Sequence, residues 1–362
     1  MPAFPLRPGS TIGILGGGQL GRMLALAAAR LGFETVVLEP RADSGGGQTA
    51  GLWLKAAYDD AGALKTLAEA ADVVTFEFEN VPASVVETLV GLGASVAPGG
   101  RALAVAQDRV DEKTFLNGCR APTVRFAAVE TTADILAGLE ALGAPALLKT
   151  RREGYDGKGQ TWVEGHTDAA DAFARIGKAA AILEARADFV RELSVIAARG
   201  RDGEVAAYPL GENHHEGGIL RRTHAPAQVT PAIAEQAQVI AARVLTSLDY
   251  VGVIGIELFE MADGRLLVNE IAPRVHNSGH WTLDGCEVDQ FEQHLRAIAG
   301  WPLGPVTPLA SVEMENLIGH DVDRWPALIA EPEARVWLYG KAEVRDGRKM
   351  GHINRLRPLE RE

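Results

Sequence analysis

Two carboxylates, Glu257 and Glu270, carry the clearest chemical signal in this chain. Residues 255–262 (GIELFEMA) and 265–271 (RLLVNEI) both read as strands, and Asp263-Gly264 between them is a two-residue hairpin signal. A turn on those two residues pairs Glu257 with Glu270 on one face of the hairpin, roughly 5 Å apart at Cβ. Like charges so placed repel each other unless a cation sits between them. A hard divalent ion that prefers oxygen, such as Mg2+, would resolve the conflict. The alternative is an ordinary solvated acidic face, with the register broken by a bulge or a longer loop. Glu270 also opens the segment NEIAPRVHNSGHW at 269–281. Arg274, His276, Asn277, Ser278 and His280 crowd there, with Pro273 and Gly279 shaping a loop. Polar groups leaving a strand end are well placed to hold a small anion beside a metal. His280 and Trp281 are expected to pack this loop.

Two glycine-rich loops add a second kind of chemistry. Gly16-Gly17-Gly18-Gln19-Leu20-Gly21 follows an apolar strand and opens a helix, matching the dinucleotide fingerprint, with Glu39 ending the next strand where a ribose-binding acid would stand. A nicotinamide dehydrogenase is one reading. A nucleotide or sugar phosphate held by the same helix N-terminus is another. The second loop, RREGYDGKGQ at 151–160, follows Lys149 at a strand end. Its glycines allow close backbone approach to phosphates and its cations supply charge. It lacks the Walker order of residues. It reads either as a flap over a nucleotide's phosphates or as a basic hairpin turn.

The elements that must position these groups are legible as alternating patterns. Strands at 11–16, 34–39 and 72–77 with a helix at 19–31 predict a parallel α/β region up to about residue 110. Strands at 147–149, 181–184, 192–198, 205–208, 253–259 and 266–271 are joined partly by hairpins and predict an antiparallel α+β region. A charged helix starts at Asp108 and a long helix runs from 231 to about 248. Residues 301–305 read as a linker, followed by strands near 310–315 and 335–339. Gly45-Gly46-Gly47 reads as a mobile loop.

Composition sets the bounds. The chain has 362 residues, 47% hydrophobic and 23% charged, enough for two or three domains with their own cores. A net charge of −12 argues against nucleic acid and anionic membrane surfaces as partners. Residues 1–8 lack the apolar core of a signal peptide, and no apolar run could span a bilayer. Cys119 and Cys286, without a motif around either, fit a reducing cytoplasm.

Taken together, these pieces resemble the ATP-grasp superfamily, and more narrowly the 5-(carboxyamino)imidazole ribonucleotide synthases, ATP-dependent carboxylases of purine biosynthesis. The resemblance rests on GGGQLGRM at 16–23, RREGYDGKGQ at 151–160, YPLGENHHEGGIL at 208–220, NEIAPRVHNSGHWT at 269–282 and GRKMGHIN at 347–354. Biotin carboxylases and formate-dependent glycinamide ribonucleotide transformylases share the ATP-grasp plan. The transformylases usually carry glutamate where this chain has Gln19.

The resemblance implies an α/β plus α+β protein with the ATP-grasp fold. Its parts would be a pre-ATP-grasp domain at 1–110, a small lid subdomain at 111–188, a large subdomain at 189–300 and a C-terminal segment at 301–362 packed on the large subdomain. It implies a ligase that uses ATP and Mg2+ to join bicarbonate to 5-aminoimidazole ribonucleotide through carboxyphosphate, giving 5-(carboxyamino)imidazole ribonucleotide, ADP and phosphate. Arg109 and Lys149 would contact ATP phosphates under a flap of Gly154, Tyr155, Asp156, Gly157, Lys158, Gly159 and Gln160. Glu184, Ala185, Arg186 and Ala187 would form the hinge whose backbone reads adenine. Many relatives have glutamine or glycine in that hinge. Glu192 would bind ribose, and His215 would lie near the nucleotide. Glu257 and Glu270 would hold the metal, with Asn269 beside them. Arg274, His276 and Asn277 would surround bicarbonate. Gly18, Gln19, Leu20, Tyr155, Asp156, Lys341, Arg348 and Lys349 would hold the ribonucleotide. Released phosphate or His276 would serve as base. A cytoplasmic homodimer is the implied assembly.

Overall fold

The structure, a computed structural model, describes residues 2–152, 154 and 158–359. Among these residues the chain builds three sheets. The first is parallel and four-stranded, in the order Leu52–Leu54, Glu34–Leu38, Thr11–Leu15, Val73–Phe76. Its central strands read as continuous apolar runs because helices cover both faces. The helix Gln19–Arg30 buries Leu20, Met23, Leu24 and Ala28 against it. The strand order reverses between Thr11–Leu15 and Val73–Phe76. Ligands of open α/β sheets collect at such a reversal, outside the carboxyl ends of the strands.

The second sheet is antiparallel and four-stranded: Phe126–Val129, Ala181–Ala185, Ala146–Thr150, Gln160–Val163. The third has nine strands. Its main path runs Leu266–Ala272, Gly252–Met261, Phe189–Arg199, Gly211–Glu216, Ile219–Ala225, Ser311–Ile318, Lys349–Arg357, Ala334–Leu338, with Val205–Ala207 beside Phe189–Arg199. Strands from the last fifty residues thus pair edge-on with the sheet of the large lobe through the Ile219–Ala225 and Ser311–Ile318 ladder. The helix Pro231–Ser247 packs Ile233, Ile240, Val244 and Leu245 on one face of this sheet. The helix Gln290–Ala299 covers another part of it. There His294 accepts from the Val253 amide at 3.0 Å and meets Thr75 Oγ1 at 2.8 Å, which ties the parallel sheet to the large one.

One reading from the sequence changes. Residues 45–47 are not a mobile loop but the start of a short helix, Gly45–Thr49, capped by Ser44, whose hydroxyl takes the Gly47 amide. The glycines are there for close approach: a Cβ on Gly46 would lie 2.8 Å from the Gly17 Cα, and one on Gly47 would lie 2.3 Å from the Trp53 ring. Residues 301–305 carry no helix or strand, as expected of a connection, and Trp301 is anchored by its indole N–H to the Leu6 carbonyl at 2.7 Å.

Candidate active site

Glu257 does face Glu270 in the hairpin ladder, though by a different route from a two-residue turn. The Met261 amide donates to the Arg265 carbonyl, so the loop has three residues, with Gly264 at φ +80°. That loop shifts the register by one, pairing Leu258 with Val268. A bulge at Asn269 then shifts it back, and Glu257 meets Glu270. The bulge also turns the Asn269 carbonyl outward to Lys113 Nζ at 2.9 Å. The Asn269 amide reaches Glu257 Oε2 at 3.2 Å, and its buried Oδ1 has no hydrogen-bond partner among the described residues.

The pair lies in a cavity of about 660 Å³ lined from all three sheets. From the parallel sheet come Gly18, Gln19, Leu20, Arg41 and residues 77–80; from the small sheet, Leu147, Lys149 and Gln160, with Gly154 and Lys158; from the large lobe, Glu192, His215, Asn269, Arg274, His276, Asn277 and Lys349. A protein of net charge −12 therefore gathers several cations around one cleft. Such a lining suits a polyanionic ligand held with metal.

Charge is unevenly shared within the pair. Burial, then the charge of Glu270, pushes Glu257 up to about 7. Burial acts against ionisation of Glu270 too, but Arg109 Nη1 at 2.8 Å holds it down at about 2. An arriving cation would therefore favour the charged form of Glu257 and displace the Arg109 guanidinium from Glu270. Two carboxylates and the amide oxygen of Asn269 form an all-oxygen donor set, with Arg109 and Lys149 close by for phosphate. Mg2+ takes such sets, completing its shell with substrate phosphates.

Lys149 lies 2.8 Å from Glu184 Oε2, and Lys113 lies 3.1 Å from the other oxygen. Burial opposes the charge on Glu184, but the two lysines keep it low, at about 2. The Glu184 side chain is therefore occupied. In the expected hinge, the Ala185 amide already donates to the Arg125 carbonyl at 2.9 Å, and the exposed Arg186 side chain pairs with Asp188. Residues 186–188 are the backbone that joins the small sheet to the large one. Arg109 also donates to the Gly154 carbonyl at 3.2 Å. Gly159 packs under Thr150 at φ +71° and does not line the cleft. Tyr155, Asp156 and Gly157 lie outside the described residues.

Glu192 lines the cleft with its Oε2 2.7 Å from His215 Nδ1. Burial lowers the His215 pKa, but Glu192 and Glu257 outweigh it and raise it. His214 is half exposed beside Glu212, as a surface neighbour should be.

Three anion-side residues differ from expectation in what they present. Arg274 is paired through Nε with Glu79, and its Nη1 donates to the Val275 carbonyl at 3.1 Å. Its fork is thus partly engaged. Asn277 lines the cleft, but its amide exchanges two hydrogen bonds with Asn316, at 2.9 and 2.8 Å. His276 accepts from the Ser278 amide on Nδ1 and points Nε2 at Glu257, 3.7 Å away. Burial, then Arg274 and Lys349, lowers it to about 3. A neutral ring whose lone pair is already engaged is a poor general base. His280 and Trp281 are buried and pack the loop.

The first glycine loop is closed by carboxylates. Glu77 takes the Gly18 and Gly21 amides at 2.7 and 3.0 Å. Glu39 takes the Gly17 amide at 2.9 Å and is further held by Arg41 and Tyr58. Glu39 is 1% exposed, so it offers nothing to a ribose. Of the expected ribonucleotide residues at the C-terminal end, Lys349 lines the cleft. Lys341 donates to the Lys349 carbonyl at 2.6 Å and is lowered to about 8 by burial and then Arg348. Arg348 is tied to Asp43 at 2.9 Å. Neither lines the cavity.

Sequence reasoning missed several cleft residues. Glu77, Phe78, Glu79 and Asn80 follow Val73–Phe76 at its carboxyl end, where acidic residues leaving a parallel strand were an available signal. Phe189 and Phe259 stack at 4.5 Å and 5° and line the cleft, as does Leu147. Phe259 shares a strand face with Glu257, so alternation could have found it. Lys113, buried rather than lining the cleft, gave no local signal.

Comparison with known proteins agrees with this anatomy. A model of the ribonucleotide synthetase preATP-grasp domain matches residues 10–107, one of the ATP-grasp domain matches 114–291, and one of the phosphoribosylaminoimidazole carboxylase C-terminal domain matches 313–361. The chain is 52% identical over 360 residues to an N5-carboxyaminoimidazole ribonucleotide synthase of Brucella melitensis, covering 99% of each chain. It superposes on the crystal structure of the corresponding synthetase of Thermus thermophilus with TM-score 0.90 at 46% identity, covering 96% of this chain and 93% of that one. The synthase of Aspergillus clavatus, solved with ADP and 5-aminoimidazole ribonucleotide, gives TM-score 0.90 at 32% identity, over 97% and 94%.

Proposed function

The chain belongs to the N5-carboxyaminoimidazole ribonucleotide synthases of the ATP-grasp superfamily, and from that premise we propose which of its residues do the work and with which co-substrates. It is an ATP-dependent ligase that carboxylates aminoimidazole ribonucleotide in purine biosynthesis. The proposal adds that the carboxyl donor is bicarbonate, activated as carboxyphosphate, with Mg2+ as the metal. The observation that carries it is the pairing of Glu257 with Glu270 in one cleft with Lys149 and Arg274.

Bicarbonate is a weak electrophile, and phosphorylation by ATP turns it into a mixed anhydride. A bicarbonate oxygen bonds to the γ-phosphorus as the bond to ADP breaks. Catalysis of such a transfer is mostly positioning and charge neutralisation. Glu257, Glu270 and the Asn269 side chain would hold Mg2+, which when bound neutralises phosphate charge. Arg109 and Lys149 contact the phosphates, with Gly154, Lys158 and Gln160 lining the same cleft. The aromatic pair Phe189 and Phe259, with Leu147 and the backbone of residues 184–187, forms the adenine end, and Glu192 with His215 the ribose end. Arg274 steers bicarbonate with the part of its fork that Glu79 leaves open, while His276 and Asn277 shape the pocket around it. The exocyclic amine of the ribonucleotide then bonds to the carboxyl carbon, and phosphate departs carrying the amine proton. Phosphate is the better base, because His276 is neutral with its lone pair engaged. Gln19, Gly18, Leu20 and Lys349 hold the ribonucleotide beside Glu77, with Lys341 and Arg348 supporting from behind.

The same reading divides the chain at 1–110, 111–188, 189–300 and 301–362, and makes the protein a cytoplasmic homodimer. Among the described residues no helix is long and apolar enough to cross a membrane. The deciding experiment supplies 18O-labelled bicarbonate with ATP and aminoimidazole ribonucleotide. Label in inorganic phosphate is expected. Its absence, with solvent exchange controlled, would exclude carboxyphosphate.

A further inference from the structure

We infer that Lys113, which touches no substrate, is a positioning residue that couples the phosphate-side lysine to the metal-side carboxylates. The inference rests on the proposed roles of Glu257, Glu270 and Lys149.

Lys113 lies on the helix Arg109–Gly118 with its side chain 0% exposed. A buried ammonium needs partners of high quality, and this one has two from different lobes. Glu184 Oε1 stands 3.1 Å away on the small-sheet strand Ala181–Ala185. The Asn269 carbonyl accepts from it at 2.9 Å on the large-sheet strand Leu266–Ala272. Through the first contact Lys113 fixes the carboxylate that holds Lys149 at 2.8 Å. Through the second it holds the bulged residue whose extra length brings Glu270 opposite Glu257.

The helix reinforces that grip at adjacent positions. Arg109, one turn before Lys113, holds the Glu270 carboxylate at 2.8 Å. Glu112 takes the Ile271 amide at 2.7 Å. Residues 269, 270 and 271 are thus each held by a different side chain of one helix turn. A bulge interrupts ladder bonding, and at this sheet edge the only backbone pairing beyond it among the described residues is a short bridge, the Val268 amide donating to the Pro122 carbonyl at 2.7 Å. Past that bridge, helix side chains hold residues 269–271 in place of a full neighbouring strand. When a bound nucleotide and metal draw Arg109 away from Glu270, Lys113 and Glu112 still hold the backbone on either side.

The test uses the full-length chain with Lys113→Met, which keeps length and removes charge. MgADP affinity by calorimetry is expected to fall at least tenfold. The kcat for ADP formation should fall 10- to 100-fold, the magnesium concentration for half-maximal activity should rise severalfold, and the KM for aminoimidazole ribonucleotide should stay within twofold. A folded variant with MgADP affinity and kcat within twofold of wild type overturns the inference. So does a variant that only melts earlier, since a purely structural lysine would lower Tm and leave the kinetic constants of the folded protein alone. If Lys113→Met does not fold, Glu184→Gln carries the test. It preserves shape but breaks the link between the lysines, and unchanged MgADP affinity and kcat there refute the coupling. Glu270→Gln run in parallel separates the two levels. If it retains MgADP binding and turnover, the metal reading itself has failed. If it loses them while Lys113→Met does not, only the role of Lys113 has failed.

Discussion

Glu77 accepts the amide hydrogen of Gly18 at 2.7 Å, and its second oxygen takes that of Gly21 at 3.0 Å. A carboxylate thus occupies amides that a dinucleotide fold offers to pyrophosphate. A pyrophosphate would have to displace a buried side chain from two good donors. The motif that resembles a nicotinamide site in sequence is, in the fold, a cradle for the protein's own acid.

Gly18→Ala should therefore harm the ribonucleotide and spare the nucleotide. The added Cβ would lie 2.6 Å from Glu77 Oε1, forcing that carboxylate out of place. Affinity for aminoimidazole ribonucleotide is expected to fall about tenfold or more, while MgADP binding stays within twofold and NADH shows no saturable binding. Micromolar NADH binding to the wild type that Gly18→Ala abolishes would show the loop to be a dinucleotide site.

Glu270→Gln should abolish most ATP turnover, by on the order of 10²-fold or more, with the fold intact. The amide removes half of the opposed carboxylate pair. It also frees Arg109, whose guanidinium now rests on Glu270. ADP release and far-UV circular dichroism are the measurements. Turnover near wild type with unchanged magnesium dependence would sink the metal assignment.

Arg274→Lys should impair bicarbonate use more than ATP binding. Lysine keeps the charge but loses the planar fork that reaches Glu79 and the pocket together. Loss of one charge-assisted contact should cost about 2 kcal/mol, a few tens-fold in bicarbonate use. The readouts are the bicarbonate dependence of ADP release and ATP affinity by calorimetry. A larger loss in ATP affinity would make Arg274 a nucleotide ligand.

Acid should weaken the junction between the parallel and large sheets through His294. Burial lowers this base from 6.5 to about 3. Between those values the unfolded chain binds a proton that the native ring refuses. The stability it contributes is complete above pH 6.5 and is lost as pH falls from 6.5 towards 3, at about 1.4 kcal/mol per pH unit. His294→Gln can still accept from Val253 and donate to Thr75 but does not titrate. Urea unfolding from pH 7.5 to 5 should show the variant losing stability less steeply, by about one proton. Parallel slopes would show that His294 is not the source.

How much of this was legible varies with the range of the interaction. Glu257 and Glu270 could be paired from the sequence because strand alternation is local, although a three-residue loop and a bulge reached that pairing by two shifts that cancel. Leaving 45–47 as a mobile loop failed because glycine triplets suggest freedom, whereas these three make room for Gly17, Tyr339 and Trp53. Glu77 was read only as the end of a strand and Glu79 not at all; their neighbours in the cleft include residues from the far half of the chain. Lys113 looked like one charge in a charged helix. Its burial between Glu184 and Asn269 is a tertiary fact. The engagement of Asn277 with Asn316 is of the same kind, since nothing near either residue announces the other.

The edge-on joining of the last segment to the large sheet also sets an order of events during synthesis. The strand Ile219–Ala225 leaves the ribosome with one edge unpaired, because its neighbour Ser311–Ile318 lies further along the chain. At roughly 5–20 residues per second, the roughly ninety residues between them take about 5–20 s to translate. For that interval the nascent lobe carries an open hydrogen-bonding edge, and premature termination within it would leave that edge exposed to pairing with other chains.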